Sequence, residues 1–179
     1  MKKMMTALLA AAMVIGCMSG AMADKTGLGI VTEAASSASA AEGKDGKASV
    51  NSTICAVTLD DEGKIVSITF DVAQTAVAFD EKGEIKTDVT AEIPSKRELK
   101  EGYGMKPASA IGKEWYEQMD ALEAWCVGKT VEEVLGMPTY DKGDGHHDCV
   151  PDDVDLKTSC TVSIGDNLKA LQKAAANAK

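Results

Sequence analysis

The sequence has few aromatic residues, few histidines and fewer basic than acidic residues. Phe, Trp and Tyr make up 4% of the chain, and there are two histidines. The chain carries 19 Lys and Arg against 28 Asp and Glu, which gives a formal net charge of −9 at pH 7. A protein with this negative net charge repels nucleic acid and anionic lipid surfaces. We therefore expect no nucleic-acid partner, and any membrane attachment would require a covalent lipid.

The common catalytic and nucleotide-binding motifs are also missing. The sequence has no glycine-rich nucleotide loop, no Gly-x-Ser-x-Gly elbow and no His-Glu-x-x-His helix. Both histidines lie in an Asp- and Gly-rich stretch whose spacing matches no common zinc pattern. The candidate ligands there are Asp144, His146, His147, Asp148 and Cys149. We expect a solvated loop rather than a metal site, and no independent hydrolase activity.

The N-terminus predicts export. Lys2 and Lys3 precede the apolar stretch 4–16, which is too short to span a bilayer and is typical of a signal peptide. Residues 14–17, Val-Ile-Gly-Cys, resemble the bacterial lipobox, so we expect a lipoprotein-type signal at 1–16 and lipidation of Cys17. Cleavage after Ala21-Met22-Ala23 is the alternative, and it would release a soluble periplasmic or secreted protein.

Length and composition fit one domain with a single core. We expect a tether at 17–46 that contains a short strand at 27–32, followed by an α+β domain at 47–179. Alternating apolar residues predict two strands, one around Val57 and one around Phe70. The turns 60–63 and 80–83, both Asp-x-x-Gly, lack the full oxygen-ligand spacing of a calcium loop, so they predict an antiparallel meander.

The second half of the chain has helical periodicity. Trp115, Met119, Leu122 and Cys126 fall on one stripe, which predicts a helix that packs on the sheet. A second helix is expected to begin at Thr130, where Glu133 completes a capping box. Four aromatic residues of this half are candidates for stacking on a planar ligand: Tyr103, Trp115, Tyr116 and Trp125. For Trp115, which lies on the apolar stripe, we expect a core position instead.

The segment 155–163 is rich in hydroxyl groups and precedes the last predicted helix. Ile164, Leu168, Leu171 and Ala175 form the apolar stripe of that helix, and Ser163 with Asp166 predicts its N-terminal cap. The first turn of a helix has free N–H groups and a partial positive charge. The segment is therefore well placed to carry a phosphate on a hydroxyl.

Four residues of this segment match a known modification motif. The pattern Asp-x-x-(Ser/Thr)-(Gly/Ser)-Ala-(Thr/Ser) is matched by Asp155, Thr158, Ser159 and Thr161, while Cys160 stands where Ala is usual. In this respect the chain resembles the exported FMN-binding domain proteins of bacteria, in which a flavin transferase esterifies FMN phosphate to the last hydroxyl of the motif. The resemblance implies covalent FMN on Thr161. A Ser/Thr-rich turn that only caps the helix is the alternative.

The resemblance implies an extracytoplasmic electron carrier rather than an enzyme with its own substrate. Its cofactor-binding segment would comprise Asp155, Thr158, Ser159, Cys160, Thr161 and Ser163. Its partners would be the flavin transferase and redox proteins at the membrane or outside the cytoplasm. A non-redox lipoprotein that binds a small ligand or a protein is the alternative function.

Export also bears on the cysteines. Four cysteines are available for disulfides after either cleavage, Cys55, Cys126, Cys149 and Cys160, because Cys17 would be lipidated or removed. An oxidising compartment allows two disulfides with three connectivities. A Cys149–Cys160 bond would clamp the segment 155–159 beside Thr161. Buried or free thiols are the alternative.

Overall fold

The computed structural model describes residues 24–179, which form one antiparallel sheet with helices against its inner face. The strands are β1 (Lys25–Glu33), β2 (Gly46–Leu59) and β3 (Ile65–Phe79), and they lie in the order β1-β2-β3. Alternate residues such as Val57 and Phe70 face the core, as the sequence pattern predicts. The predicted α+β single domain is confirmed.

The helical half contains four α-helices and a small second sheet. The α-helices are α1 (Lys96–Leu99), α2 (Trp115–Cys126), α3 (Val131–Leu135) and α4 (Gly165–Ala176). Two 3₁₀ helices, Lys100–Tyr103 and Lys106–Ala108, follow α1, and β4 (Thr139–Tyr140) pairs with β5 (Val150–Pro151). The predicted capping box at Thr130 and Glu133 is present at the start of α3. No helix within residues 24–179 combines the length and apolar content needed to cross a membrane.

A turn built around an aspartate lies at each end of β3. Asp60 Oδ1 accepts the N–H groups of Glu62 and Lys64 at 3.0 and 2.8 Å, and this turn joins β2 to β3. Asp80 Oδ1 makes the equivalent bonds at 2.9 Å in the turn after β3. Each aspartate therefore satisfies the backbone of its own turn. The meander ends there, since the next residues add only an isolated bridge to Phe79.

The first strand lies inside the segment predicted to be a tether. β1 pairs with β2 along its whole length, from Lys25 opposite Leu59 to Glu33 opposite Asn51. Residues 25–33 are thus an edge strand of the sheet, longer than the strand expected at 27–32. The predicted signal peptide, both cleavage sites and Cys17 lie outside the described residues.

Glycines in β1 allow the backbone of α4 to lie directly on the strand. A Cβ atom at Gly29 would be 2.0 Å from the carbonyl oxygen of Ala170, and one at Gly27 would be 1.9 Å from that of Ala174. Real Cβ atoms do not approach a carbonyl so closely, so no larger residue fits without moving the helix. Lys173 Nζ also donates to the carbonyl oxygen of Ile30 at 2.8 Å.

The free edge of β3 is covered by an ion pair. Arg97 Nε donates to the Phe70 carbonyl oxygen at 2.5 Å, and the Phe70 N–H donates to Glu123 Oε1 at 2.6 Å. Arg97 also pairs with Glu123 directly and with Asp120 at 2.9 Å. These side chains satisfy edge groups that would otherwise be open to another strand.

We predict that Gly29→Ala destabilises the domain by about 1–3 kcal/mol, because the added methyl group must push α4 off the sheet. Gly102→Ala is the matched control, since the nearest atom to its Cβ would be a Leu99 side-chain carbon at 4.0 Å. That control should change the free energy of unfolding by less than about 0.5 kcal/mol. Urea unfolding measures both. Equal stability of the two variants would contradict the packing argument.

Candidate functional site

The segment that matches the modification motif is a compact turn anchored by two core side chains. The N–H groups of Ser159 and Cys160 donate to the carbonyl oxygen of Leu156 at 2.8 and 2.9 Å. Leu156 and Cys160 are almost fully buried, whereas Asp155 and Thr158 are exposed. The segment therefore has one face directed into the core and one face exposed to solvent.

Thr161 is held by a buried glutamine of α2. Gln118 Oε1 accepts the Thr161 N–H at 2.9 Å and the Thr161 hydroxyl at 3.3 Å. The Gln118 Nε2 group donates to Ser109 Oγ at 3.2 Å and to the Lys113 carbonyl oxygen at 3.3 Å. Gln118 has no exposed surface, while Thr161 is half-buried. The hydroxyl of Thr161 thus has a fixed neighbour on its inner side.

A second contact from α2 fixes the start of the same segment. Trp125 Nε1 donates to Asp153 Oδ1 at 3.0 Å, and this oxygen also accepts the Asp155 N–H at 2.9 Å. On the outer side, Lys142 Nζ donates to the Thr161 carbonyl oxygen at 2.6 Å. The segment is therefore positioned by polar contacts from distant parts of the chain.

Helix α4 begins one residue later than the sequence predicted. Its N-cap is Ile164, which makes no side-chain capping bond. Ser163 Oγ instead lies 3.4 Å from Asp148 Oδ1, and Asp166 pairs with Lys169 at 2.8 Å, so the predicted Ser163–Asp166 cap is wrong. The first-turn N–H groups of α4, like those of any helix, have no intrahelical partners. The N-cap side chain does not accept from them either.

The buried stripe of α4 also differs in part from the prediction. Ile164 and Leu171 face the core as expected, but Leu168 and Ala175 are only half-buried. Ala170 and Ala174 take the fully buried positions because they contact the glycines of β1. Because of the close approach to β1, the buried face of α4 is rotated about the helix axis relative to the apolar stripe that the sequence predicts.

A polar cleft of about 370 Å³ lies in front of the first turn of α4. Its walls come from the sheet, α1, α2, α4 and the loop before β5, and Ser163 lies at its rim. Thr53 and Asn167 line it although both are more than nine-tenths buried. Its volume is within the range of small-molecule sites.

The cleft contains both signs of charge and one aromatic ring. Lys96 lies over the rings of Trp115 and Tyr103, with its Nζ 5.2 and 4.8 Å from their centroids. Trp115 and Lys96 line the cleft, but Tyr103 does not. Trp115 is 5% exposed, so it serves mainly as core and offers little surface to the cleft.

Thr161 is not one of the residues that line this cleft. It precedes the lining residue Ser163 by two positions, and its partner Gln118 is about one helical turn from the lining residue Trp115. Thr161 is thus connected to the cleft through its neighbours in the chain and on α2.

Comparison with known proteins gives one similar protein. The chain is 38% identical over 96 residues to a chlorophenol reductase of Desulfitobacterium hafniense. The match covers 48% of this chain and 29% of that protein, so the chain spans less than a third of its relative. No family model and no solved structure matches the chain.

The four cysteines of the described residues are free thiols, so the Cys149–Cys160 disulfide considered from the sequence is not formed in the structure. Cys160 faces the core with Cys55 and Cys126, whereas Cys149 is half-buried beside Gly165. Burial raises the pKa of the Cys55 and Cys126 thiols to about 12 and the pKa of Cys160 to about 11. The motif segment is held by Gln118, Trp125 and its own buried side chains instead.

We predict that Cys149 is the fastest of these four thiols to react with an alkylating reagent at pH 8. The three core thiols should react about 100-fold more slowly, because they are buried and almost fully protonated. Alkylation of native protein followed by peptide mapping measures each site, and alkylation in urea is the control for intrinsic reactivity. Protection of both Cys149 and Cys160 until a reductant is added would show that they are bonded.

The Asp- and His-containing loop satisfies its own polar groups. Asp144 Oδ1 accepts the N–H groups of His146 and His147 at 2.9 and 2.8 Å, and Asp144 Oδ2 lies 2.7 Å from His147 Nδ1. The hydrogen bond from the His146 N–H and the bonds from His147 lower the pKa of Asp144 to about 2. Within residues 24–179, no cluster of three or more His, Cys, Asp or Glu side chains is arranged to hold a metal ion.

Sequence reasoning missed Gln118, the residue in direct contact with Thr161. One signal was available: Gln118 is a polar residue on the buried side of α2, next to Met119. A fully buried amide needs hydrogen-bond partners from elsewhere in the chain. The pattern could therefore indicate a polar tether, but it could not indicate that Thr161 is its partner.

Proposed function

We propose that this protein is an exported electron carrier that holds FMN as a phosphoester on the Thr161 hydroxyl. The observation that carries the proposal is the contact of that hydroxyl with the buried Gln118, two residues before Ser163, which lines the polar cleft. The match of Asp155, Thr158, Ser159 and Thr161 to the modification motif supports the same residue. The partial similarity to a protein named as a reductase supports a redox role.

The residues around the cleft are suited to FMN. The first-turn N–H groups of α4 and the ammonium group of Lys96 favour a phosphate, whereas Lys169 is paired with Asp166. The small exposed part of Trp115 and the polar groups of Thr53 and Asn167 suit an amphipathic ring system. FMN supplies one- and two-electron transfer, while the protein binds it, orients it and sets its surroundings.

Attachment requires an activated donor and a second protein. The Thr161 oxygen would form a P–O bond with the riboflavin-bearing phosphate of a flavin dinucleotide. The pyrophosphate bond of that donor would break, AMP would leave, and the hydroxyl proton would pass to a base of the transferase. Asp155 and Thr158 are exposed and so accessible to the transferase, whereas Ser159 and Ser163 are half-buried around the acceptor.

The charge around the cleft bears on the redox potential. Glu33, Asp148 and Asp166 line the cleft together with two lysines. Carboxylates near a flavin disfavour the addition of negative charge on reduction. We propose that this balance sets the potential at which the carrier accepts electrons from redox proteins at the membrane or outside the cytoplasm.

We predict that co-expression with a flavin transferase adds one FMN-phosphoryl mass to the protein, and that this mass survives denaturation. Thr161→Val removes the hydroxyl but keeps the shape of the side chain, so it should abolish the added mass. Thr161→Ser retains a hydroxyl and should still be modified. Intact-mass spectrometry of the denatured protein measures all three.

A transferase active on another carrier must be used in that experiment. Folded wild-type protein that stays at its apo mass would contradict the proposal and would favour the alternative of a non-redox binding lipoprotein. Modification that persists in Thr161→Val would show that another residue is the acceptor.

The proposal places the protein outside the cytoplasm on a lipid anchor at Cys17, because the segment 14–17 resembles a lipobox. We predict that native protein partitions into detergent and carries a diacylglyceryl group on Cys17. Cys17→Ser should abolish this modification, and the matched variant Cys149→Ser should not. Detection of soluble wild-type protein with Asp24 as its free N-terminus would show cleavage after Ala23 instead.

A further inference from the structure

Gln118 makes polar contacts that go beyond the needs of helix α2. It lies on the buried side of the helix, and its side chain is fully buried. Both ends of the amide are used: Nε2 contacts Ser109 and the Lys113 backbone, and Oε1 contacts Thr161. An apolar residue at this position would fill the space without requiring any of these bonds.

The amide is itself oriented by its donor side. Ser109 Oγ and the Lys113 carbonyl oxygen accept from Nε2 at 3.2 and 3.3 Å, which fixes Oε1 on the side that faces Thr161. Oε1 has no proton to donate, so it acts only as an acceptor. The Thr161 hydroxyl must therefore direct its hydrogen towards Gln118 in this contact.

This hydrogen bond determines where the hydroxyl lone pairs lie. With the hydrogen directed inward, the lone pairs of Thr161 Oγ1 point away from α2. The N–H of the same residue donates to the same oxygen at 2.9 Å, so the backbone and side chain of Thr161 are fixed together. Such positioning favours a reaction in which that oxygen attacks an incoming group.

We infer that Gln118 is a positioning residue for modification of Thr161, presenting the hydroxyl oxygen to an activated FMN donor by accepting its hydrogen. The inference rests on the proposed function. Gln118 does not remove the proton, because an amide oxygen is too weak a base. The proton leaves to the transferase as the new P–O bond forms and AMP departs.

The test compares rates of FMN loading by purified transferase and a flavin dinucleotide, measured by intact mass on folded apo protein. In Gln118→Leu, the loading rate at saturating carrier should fall about tenfold or more, since the hydroxyl loses its oriented contact. Trp125→Phe is the matched control. It removes the Trp125 bond to Asp153 in the same segment but leaves both Gln118 contacts with Thr161.

The control should load within about threefold of the wild-type rate. Equal loading of Gln118→Leu and wild type would overturn the inference. An equal loss in Gln118→Leu and Trp125→Phe would also overturn it, because general loosening of the segment would then explain both. Absence of loading in wild type would instead reject the proposed function, and this inference with it.

A second variant separates positioning from stability and carries the test if Gln118→Leu does not fold. In Gln118→Glu the donor to Ser109 Oγ and to the Lys113 carbonyl oxygen is lost. Both carboxylate oxygens are acceptors, so one of them faces the Thr161 hydroxyl whichever way the group turns, and the orienting donor bonds are not needed for that contact. Thermal stability should therefore fall, while the folded protein should load within about threefold of wild type. A purely structural role would make loading and stability fall together. Loading reduced about tenfold in folded Gln118→Glu would overturn the inference.

Discussion

The close contact between α4 and β1 determines where the rest of the candidate site lies. Gly27 and Gly29 let the helix backbone lie on the strand, at a separation that excludes any Cβ atom. That contact fixes both the rotation and the axial position of α4. The cleft is formed by the first turn of α4 against the sheet, so its shape depends on packing contacts in the middle and the C-terminal half of the same helix. The position of Thr161, four residues before the helix, depends on it as well.

The second requirement of the site is polar contact across long separations in sequence. Gln118 and Thr161 are 43 residues apart, and Trp125 and Asp153 are 28 apart. Both contacts come from α2, which is itself anchored in the core by Met119 and Leu122. Thr161 is thus linked to the core by its hydrogen bonds to Gln118 of α2. It is linked to the sheet through the chain that leads into α4. A hydroxyl held by Gln118 on a backbone that is itself fixed has less conformational freedom to lose when it reacts.

Sequence patterns predicted the parts of the fold that depend on local periodicity. The strands around Val57 and Phe70 and the stripe of α2 follow from alternation and helical spacing, and the capping box at Thr130 follows from short-range bonding. The cap of α4 could not be predicted, because Ser163 contacts Asp148 rather than the helix. The rotation of α4 depends on glycines more than 130 residues away, and the partner of Thr161 lies on another helix. These features come from tertiary packing, which overrides local preference.

The burial pattern of the motif segment separates residues that serve the fold from residues that serve a partner. Cys160 lies in the core without exposed surface, so this position needs a small apolar side chain, and Ala, the usual residue of the motif, meets the same need. Asp155 and Thr158 are exposed, and the core would tolerate many residues there. Under the proposed function, the carboxylate at 155 and the hydroxyl at 158 would serve the transferase that binds this surface. Thr161 is half-buried and has both roles. Its backbone N–H is bonded to Gln118 and helps to fix the segment, and its hydroxyl oxygen is the proposed site of attachment.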